Sequence, residues 1–307
     1  KNNFKMKGRN MERKLLIYDS FTTEVFKGNP AGVLLGADGL KNEEMQSIAR
    51  ELGYPETVFL FLNDPEKIKV KFFTPKEEID LCGHATIAYG TALVECGIIK
   101  VEEGENQVNI ETNLGTLPIV IKIRNKKIDN IMMYQASPKI DRNFTVNKSE
   151  LAKALNISPN DFADDIEIVK AYTGVWDLMI PLKRKETLNE IVGDMEKIKQ
   201  ISSELNIISL HPFYIEKIEN KTNLYARNFA PIVDIDEEAA TGTSNGALIY
   251  YLHTIGKIKS EENIVVTQGE KLGRKSEIIG KIQIKEEKID VLIGGTAVKF
   301  VEGNIEI

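Results

Sequence analysis

The segment Ile79-Asp80-Leu81-Cys82-Gly83-His84-Ala85-Thr86-Ile87-Ala88-Tyr89-Gly90 joins a short polar turn to apolar residues at helical spacing. Leu93 and Val94 continue that spacing, so the segment predicts a helix with His84 in its first turn. The free backbone N–H groups and the dipole of a helix favour an anionic ligand at its N-terminus. The histidine, whose side chain can titrate near neutral pH, therefore lies where a small anion would bind.

The same construction recurs in the second half of the chain as Ala239-Ala240-Thr241-Gly242-Thr243-Ser244-Asn245-Gly246-Ala247-Leu248-Ile249-Tyr250-Tyr251-Leu252. Each copy follows a basic-x-Phe-x-Pro strand end, at residues 71–75 and 227–231, and precedes another predicted strand. An internal repeat of this kind constrains the architecture. Two copies are too few for a solenoid, so we expect two lobes whose matching helix starts face each other across a cleft.

Length, composition and charge narrow the class of protein. The 307 residues suffice for two domains, and 42% apolar with 28% charged residues is typical of a globular protein. The net charge of −6 argues against a general role on nucleic acid or a membrane surface. No apolar run approaches the ~20 residues that span a bilayer, and no secretory segment is recognisable.

The cysteines and histidines predict a cytoplasmic protein without a metal site. Two cysteines do not make a disulfide framework, so a reducing compartment is expected. Three histidines with no CxxC or HExxH pattern argue against zinc.

The order of predicted elements indicates an α+β fold. Residues 1–13 are interpreted as a basic tail, and residues 41–52, 149–155 and 187–201 as helices outside the repeat. Strands are predicted between them, among them residues 166–169. A shift to Pro, Asp, Asn and Lys after residue 137 predicts an N-terminal lobe at 11–137 and a C-terminal lobe at 138–307. Whether terminal strands cross between the lobes is left open.

An ordered set of short motifs carries a family resemblance. The motifs are Asp19-Ser20-Phe21, Gly28-Asn29-Pro30-Ala31, Glu56-Thr57-Val58-Phe59, Phe73-Thr74-Pro75, Glu78-Ile79, Gly83-His84, Phe229-Ala230-Pro231, Glu237-Glu238-Ala239-Ala240-Thr241-Gly242, Gln268-Gly269, Gly273-Arg274 and Gly294-Gly295. Each is weak alone, but as an ordered set they resemble the PhzF-like (phenazine-biosynthesis) family, within the diaminopimelate-epimerase-type fold.

The resemblance implies a fold and a class of reaction. It implies two pseudo-repeated lobes, each a mixed-strand barrel-like sheet around one central helix, with the active site in the cleft between them. It also implies no cofactor, a small-molecule carboxylate substrate and often a homodimer. The best-known activity in the family is the isomerisation of a dihydro-hydroxyanthranilate by a proton shift.

The resemblance also implies roles for individual residues. Glu56 corresponds to the catalytic acid/base, and His84 assists it. Glu238, a third catalytic candidate, stands where the family commonly has Asp, and Ala239 replaces a Pro, so the resemblance predicts the type of reaction and leaves the substrate open. The residues expected to bind the substrate are Gly83 and Gly242 through their N–H groups, together with Thr243, Cys82 and Asn29.

The chemistry of a proton shift supports these roles independently. One group must remove a proton and return it elsewhere, and partial burial could raise the pKa of Glu56 toward the operating pH. Two helix N-termini could hold the developing negative charge. The competing interpretation is that Glu56 is a solvated loop carboxylate and His84 a structural histidine.

Two further functions stay open. Cys82 with Thr241 resembles the Cys/Thr dehydratases related to proline racemases, although a small buried thiol without chemistry is favoured. Alternatively, the chain is a catalytically inactive binding or interaction protein that kept the cleft. Cys96, His211 and His253 are interpreted as structural or surface residues.

Overall fold

A computed structural model describes residues 12–64, 67–218, 221–286 and 288–307. Within these residues the chain is a mixed α and β protein with a large mixed sheet and six α-helices, which confirms the predicted mixture of elements. The helices are α1 Asn42–Leu52, α2 Gly83–Glu95, α3 Lys148–Leu155, α4 Lys185–Glu190, α5 Met195–Leu205 and α6 Gly242–Thr254. The strands are β1 Glu12–Ser20, β2 Asn29–Leu35, β3 Glu56–Phe61, β4 Ile68–Phe73, β5 Glu78–Ile79, β6 Gly104–Thr112, β7 Gly115–Arg124, β8 Lys127–Tyr134, β9 Lys139–Asp141, β10 Val169–Tyr172, β11 Trp176–Pro181, β12 Ser209–Ile218, β13 Lys221–Ala226, β14 Ile264–Gln268, β15 Ser276–Lys285, β16 Lys288–Gly295 and β17 Ala297–Glu306.

The described residues form two compact units. The first contains residues 12–26, 30–131 and 296–307, and the second contains residues 27–29 and 132–295. The C-terminal strand β17 therefore belongs with the N-terminal strand β1, to which it is paired antiparallel. The predicted lobe division between residues 137 and 138 stays a prediction, as does the barrel-like form of each lobe.

The first unit is built on a mixed ladder that places the start of β3 beside β2. Strands β2 and β3 are parallel, with Ala31 opposite Glu56, and β3 is antiparallel to β4. Strand β4 is parallel to β6, which forms an antiparallel pair with β7. The side chains of β3 from Thr57 to Leu60 are all buried, so this strand lies inside the unit rather than at its surface.

The second unit alternates antiparallel pairs with two parallel ones. Strands β9, β10 and β11 are successive antiparallel neighbours, and β11 is parallel to β12. Strand β13 is antiparallel to β12 and parallel to β14. Antiparallel pairing then continues through β15 to β16. This order brings the end of β14 next to the segment that precedes α6.

The helices of the repeated motif are almost entirely enclosed. In α2 every residue from His84 to Leu93 is buried, and in α6 eight of thirteen residues are buried. A helix that is apolar on all sides must be surrounded by protein. Each unit contains one of these two helices, and a sheet wrapped around each helix stays a prediction.

We expect Gly280→Ala to destabilise the protein because β15 lies close against α6. A methyl group at this position would overlap the δ-carbon of Ile249 and lie 3.1 Å from that of Ile293. Overpacking of this kind costs about 1–3 kcal/mol. Gly303→Ala is the matched control, since nothing lies within 4 Å of the added methyl group there. Equal free energies of unfolding for the two variants would contradict this packing.

Three predicted elements differ from the structure. Glu12 and Arg13 belong to β1 rather than to a tail, and the guanidinium of Arg13 donates to the carbonyl of Asp38 at 2.9 Å. The rest of the predicted tail, residues 1–11, lies outside the described residues. Of the strand predicted at residues 166–169, only Val169 lies in a strand, where it is the first residue of β10.

The single helix predicted at residues 187–201 is two helices, α4 and α5. The guanidinium of Arg227 donates to the carbonyls of Leu188 and Ile191 at 3.1 and 2.8 Å, which ends α4. Asp194 then caps α5 by accepting a hydrogen bond from the N–H of Lys197 at 3.2 Å. Periodicity alone does not reveal an interruption imposed by a distant arginine.

A search of the described residues finds no helix both long and apolar enough to cross a bilayer.

Candidate active site

Glu56 is the first residue of β3, where the chain passes from a turn into a buried strand, as the sequence predicts. Its side chain is 16% exposed. The next residue, Thr57, is completely buried, and Glu56 is held beside Ala31 by the parallel pairing of β2 and β3. A carboxylate with this exposure is mostly enclosed by protein and only partly accessible to solvent. The interpretation of Glu56 as a solvated loop carboxylate therefore does not fit.

His84 lies in the first turn of α2 and contacts Glu56 directly. The distance between His84 Nε2 and Glu56 Oε2 is 2.7 Å, and the histidine side chain is 5% exposed. The backbone carbonyl of His84 accepts a buried hydrogen bond from the hydroxyl of Ser20 at 2.7 Å. Ser20 therefore holds the backbone of His84, and Glu56 contacts its ring. Both contacts favour one orientation of the imidazole toward the carboxylate.

Cys82 also contacts the imidazole of His84. Its Sγ lies 3.4 Å from His84 Nδ1, and the residue is buried. The carbonyl of Cys82 accepts hydrogen bonds from the N–H and the hydroxyl of Thr86 at 3.0 and 2.7 Å, which holds the residue at the start of α2. Carboxylate, imidazole and thiol thus form one cluster within the first unit, with their polar atoms within 4.8 Å of one another.

The pKa of Glu56 is shifted in the direction opposite to the one predicted. Burial alone would raise the pKa of this carboxyl group, and that is the effect we expected. The charge of His84, 2.7 Å away, with a smaller contribution from the thiol of Cys82, outweighs burial, so the pKa of Glu56 is lowered below its usual value of 4.5. The sequence did not reveal that an imidazole lies in contact with this carboxylate.

The pKa of His84 is raised well above its usual value of 6.5. Burial by itself would lower the pKa of the imidazole, but the side chain of Cys82 and then the carboxylate of Glu56, both in contact with the ring, favour its protonated form. Burial raises the pKa of the Cys82 thiol, which is therefore protonated near neutral pH. The site consequently holds a carboxylate and an imidazolium as an ion pair, with the thiol as a neutral neighbour.

Glu56, Cys82 and His84 also offer three possible ligand atoms within 4.8 Å of one another for a metal ion. The Sγ of Cys82 lies 3.4 Å from Nδ1 and 3.8 Å from Nε2 of the ring, and Nε2 also contacts Glu56. Zinc bonds of about 2.0–2.3 Å place neighbouring ligand atoms well over 3 Å apart. The 2.7 Å contact between His84 and Glu56 therefore fits an ion pair better than a shared metal ligand set.

The helices α2 and α6 begin without a side-chain cap. Within the described part of the chain, neither Cys82 before α2 nor Thr241 before α6 makes a capping hydrogen bond through its side chain. By contrast, Asn147 caps α3 and Asp194 caps α5. The first backbone N–H groups of a helix require a partner. Uncapped starts leave Gly83 and Gly242 with N–H groups that a ligand could use.

In the second unit, Glu238 lies in the turn that precedes α6. Its Oε2 accepts a hydrogen bond from the hydroxyl of Thr241 at 2.8 Å, and its Oε1 lies 3.4 Å from the amide nitrogen of Asn29. The same amide of Asn29, which is 4% exposed, donates to the carbonyl of Ala240 at 3.3 Å. Thr243, in the first turn of α6, accepts at its carbonyl from the hydroxyl of Thr173 at 2.7 Å.

Sequence reasoning missed a group of buried polar residues around this turn. Gln268, Asn245, Asn228 and His211 are all at most 1% exposed and are hydrogen-bonded to one another in series. His211 is thus a core residue, so a surface position for it is wrong. Gln268 precedes a glycine in a recognised motif, but nothing in the linear sequence marks Asn228 or Asn245.

The structure brings together some of the predicted site residues within each unit. Glu56, Cys82, Gly83 and His84 lie together in the first unit. The second unit contains Asn29, Glu238, Gly242 and Thr243. That the two helix starts face each other stays a prediction.

Comparisons with known proteins identify the class of this one. The chain is 35% identical over 292 residues to the uncharacterized isomerase YfhB of Bacillus subtilis (strain 168), covering 94% of this chain and 96% of that protein. It is 25% identical over 292 residues to trans-2,3-dihydro-3-hydroxyanthranilate isomerase of Pseudomonas aeruginosa, covering 94% and 98%. These similarities, together with the paired acid and base groups described above, define the chain as an isomerase.

A family model and a solved structure make the assignment specific. The model described as phenazine biosynthesis-like protein (PhzC-PhzF) matches residues 18–303. The crystal structure of a PhzF-family phenazine biosynthesis protein from Bacillus anthracis has a TM-score of 0.86 and 32% identity, covering 97% of this chain and all of that one. The chain belongs to the phenazine biosynthesis-like (PhzF) family, which confirms the resemblance seen in its motifs.

Proposed function

We propose that this protein is a cofactor-independent isomerase that shifts a proton on a small carboxylate-bearing substrate, with Glu56 as the acid/base and His84 as its partner. The observation that carries the proposal is the 2.7 Å contact between Glu56 Oε2 and His84 Nε2 at the start of α2. A buried, paired carboxylate of this kind is typical of sites that move protons.

The protonation states support a mechanism in which Glu56 acts first as a base. Its lowered pKa keeps the carboxylate ionised at neutral pH, ready to take a proton from a carbon atom of the substrate. The electron pair of the broken C–H bond moves into the conjugated system of the substrate. The same Glu56, now a carboxylic acid of low pKa, readily returns the proton to a different carbon atom, so no atom is gained or lost.

His84 contributes a positive charge next to the reacting carboxylate. Its raised pKa keeps the imidazole protonated at neutral pH. This charge costs Glu56 some basicity, but it also stabilises negative charge that develops on a substrate bound beside it. The thiol of Cys82, 3.4 Å from Nδ1 and 3.8 Å from Nε2, also contacts the ring.

The remaining predicted roles form part of the same proposal. The N–H groups of Gly83 and Gly242, at the uncapped helix starts, bind negatively charged groups of the substrate. Glu238 serves as a second acid/base, and its contacts with Asn29 and Thr241 support an oriented carboxylate. The residues assigned to substrate binding are Gly83, Gly242, Thr243, Cys82 and Asn29. A homodimer stays a prediction.

Proton exchange with solvent tests the proposal directly. The probe is trans-2,3-dihydro-3-hydroxyanthranilate, the substrate in the name of the P. aeruginosa relative. In deuterated buffer we expect NMR to show isomerisation of the probe, or of a related unsaturated cyclic carboxylate, with deuterium at the carbon that receives the proton. Binding of these compounds without exchange or isomerisation would contradict the proposal and favour the binding-protein alternative.

The contact between Cys82 and His84 is also compatible with the alternative function, a Cys/Thr dehydratase. Alkylation of the cysteines distinguishes this dehydratase from an isomerase that uses Glu56. Cys82 is buried, whereas Cys96 is partly exposed, and burial raises the pKa of both thiols. We expect iodoacetamide to modify Cys96 at least about tenfold faster than Cys82 in the folded protein, because reactivity follows exposure and thiolate fraction. Mass spectrometry of timed samples measures both rates, and the unfolded protein is the control. Faster modification of Cys82, with loss of activity, would favour the dehydratase.

A further inference from the structure

Gln268 is the last residue of β14 and Gly269 follows it, beside the turn that precedes α6, and the proposed function gives them no role. Gly269 has a φ of +78°, and a methyl group on it would lie 2.5 Å from the carbonyl oxygen of Arg274 and 2.6 Å from that of Ala239. Only glycine allows the chain to pass so close to Ala239. The preceding side chain, Gln268, is 1% exposed and is directed into residues 238–241.

Two backbone carbonyls fix the direction of the hydrogen bonds around Gln268. The side-chain nitrogen of Asn245 donates to the carbonyl of Thr241 at 2.8 Å and to Oε1 of Gln268 at 2.7 Å. The nitrogen of Gln268 in turn donates to the carbonyl of Glu238 at 2.8 Å. Because a carbonyl can only accept, neither amide can be reversed without placing two acceptors in contact.

The hydroxyl of Thr241 is thereby given one orientation. Gln268 Nε2 donates to Thr241 Oγ1 at 3.1 Å, so the hydroxyl accepts from that side. Its hydrogen is then directed to Glu238 Oε2 at 2.8 Å. Thr241 occupies the residue before α6 where a threonine usually caps the helix, but within the described residues its side chain makes no such bond.

Buried groups behind Asn245 hold this arrangement in place. Oδ1 of Asn245 lies 3.3 Å from Nε2 of His211, and the side-chain nitrogen of Asn228 lies 3.0 Å from Nδ1 of the same ring. The carbonyl of Thr241 fixes the amide of Asn245, and its Oδ1 can only accept, so the ring hydrogen is on Nε2 and faces Asn245. Burial lowers the pKa of His211 to about 4, which keeps the ring neutral near pH 7.

We propose that Gln268 is a positioning residue that, through the hydroxyl of Thr241, holds the carboxylate of Glu238 in one orientation at the start of α6. The inference rests on the proposed function, in which Glu238 is the second acid/base. Gln268 acts through Thr241 and the carbonyl of Glu238, which it contacts directly, and Asn245 orients Gln268. Gly269 permits the close approach of the strand.

Crystal structures of two full-length variants test the positioning without any substrate. Thr241→Val removes the hydroxyl and keeps the shape of the side chain, whereas Thr241→Ser keeps the hydroxyl. We expect the carboxylate of Glu238 to leave its position or occupy several conformers in the Val variant only, with the backbone of residues 238–245 unchanged. A Glu238 carboxylate that keeps its position in the Val variant would overturn the proposal.

Gln268→Glu provides a second crystallographic test of the positioning role, since it replaces the donating amide nitrogen by an oxygen of the same size. The hydroxyl of Thr241 is then expected to turn toward residue 268, and Glu238 loses the hydrogen bond that Thr241 donates to its Oε2. If this variant does not fold because it buries a charge, the Thr241 pair still decides the question. Unchanged contacts between Thr241 and Glu238 in a folded Gln268→Glu protein would also overturn the proposal.

Kinetics with trans-2,3-dihydro-3-hydroxyanthranilate separates failure of the positioning from failure of the proposed function. We expect Thr241→Val to lower kcat at least about tenfold with little change in KM, and Thr241→Ser to restore kcat to within about threefold. A full kcat in the Val variant, where Glu238→Gln is inactive, overturns the positioning role. If Glu238→Gln keeps full activity, or if the wild-type protein does not isomerise the probe, the proposed function fails. The crystal structures of the Thr241 variants then test the positioning of Glu238 independently of the kinetics.

Discussion

Replacement of Glu56 by Gln is expected to lower proton exchange into the substrate about 10³-fold, within the 10²–10⁴-fold range of general acid–base catalysis. The amide keeps the size of the side chain at the start of β3 but can neither accept nor return the proton. Substrate binding is expected to persist, because the helix N-termini that bind negative charge are unaffected. Deuterium incorporation followed by NMR measures the exchange, and calorimetric titration measures the binding.

Glu105→Gln is the matched control for this variant. Glu105 is an exposed glutamate in β6 of the same unit, so the same chemical change there removes a charge far from any buried partner. We expect its exchange rate to equal that of the wild-type protein. Retention of more than a tenth of the wild-type rate in folded Glu56→Gln protein would assign the proton transfer to another group.

Replacement of His84 by Asn is expected to cost about 3–5 kcal/mol in the free energy of unfolding near pH 6, and most of the activity. The substitution leaves the Glu56 carboxylate buried without its positive partner, which is the costly way to break a buried ion pair. Without the imidazolium, burial is expected to raise the pKa of Glu56. Denaturant unfolding at a series of pH values, together with the exchange assay, measures both effects.

The pH dependence of this stability difference follows from the two pKa shifts. The lowered pKa of Glu56 contributes stability above its unfolded value near 4.5, and this is lost as the pH falls through the folded value. The raised pKa of His84 contributes stability that is complete below 6.5 and is lost as the pH rises through the folded value. The difference between wild type and variant should therefore be largest between about pH 4.5 and 6.5 and shrink on both sides.

His253→Asn is the matched control for His84→Asn. His253 lies in the last turn of α6, half-buried, with its ring 3.3 Å from the carbonyl of Ile258 and without a buried carboxylate among its described contacts. Its removal should change the free energy of unfolding near pH 6 only slightly, because it leaves no buried carboxylate without a positive partner. A stability difference for His84→Asn that does not vary with pH would disprove the ion pair.

Much of the local structure around the site could be predicted from the sequence. Apolar spacing placed α2 and α6 and their first residues, and the passage from turn to buried strand placed Glu56 at the start of β3. These features depend on neighbouring residues, for which sequence and structure are directly related. The division of residues 187–201 into two helices depends on Arg227, which is remote in sequence, so local periodicity could not reveal it.

By itself, the sequence determined the repeated turn and helix, the ordered motifs of the PhzF family and therefore the isomerase class. The tertiary structure alone decided that His84 contacts Glu56, and so that the pKa of this carboxyl group falls although burial would raise it. It also decided that Gln268 orients the hydroxyl of Thr241 toward Glu238. The physical reason is that a pKa and a hydrogen-bond direction depend on distances between groups that chain folding brings together, and spacing along the chain does not encode those distances.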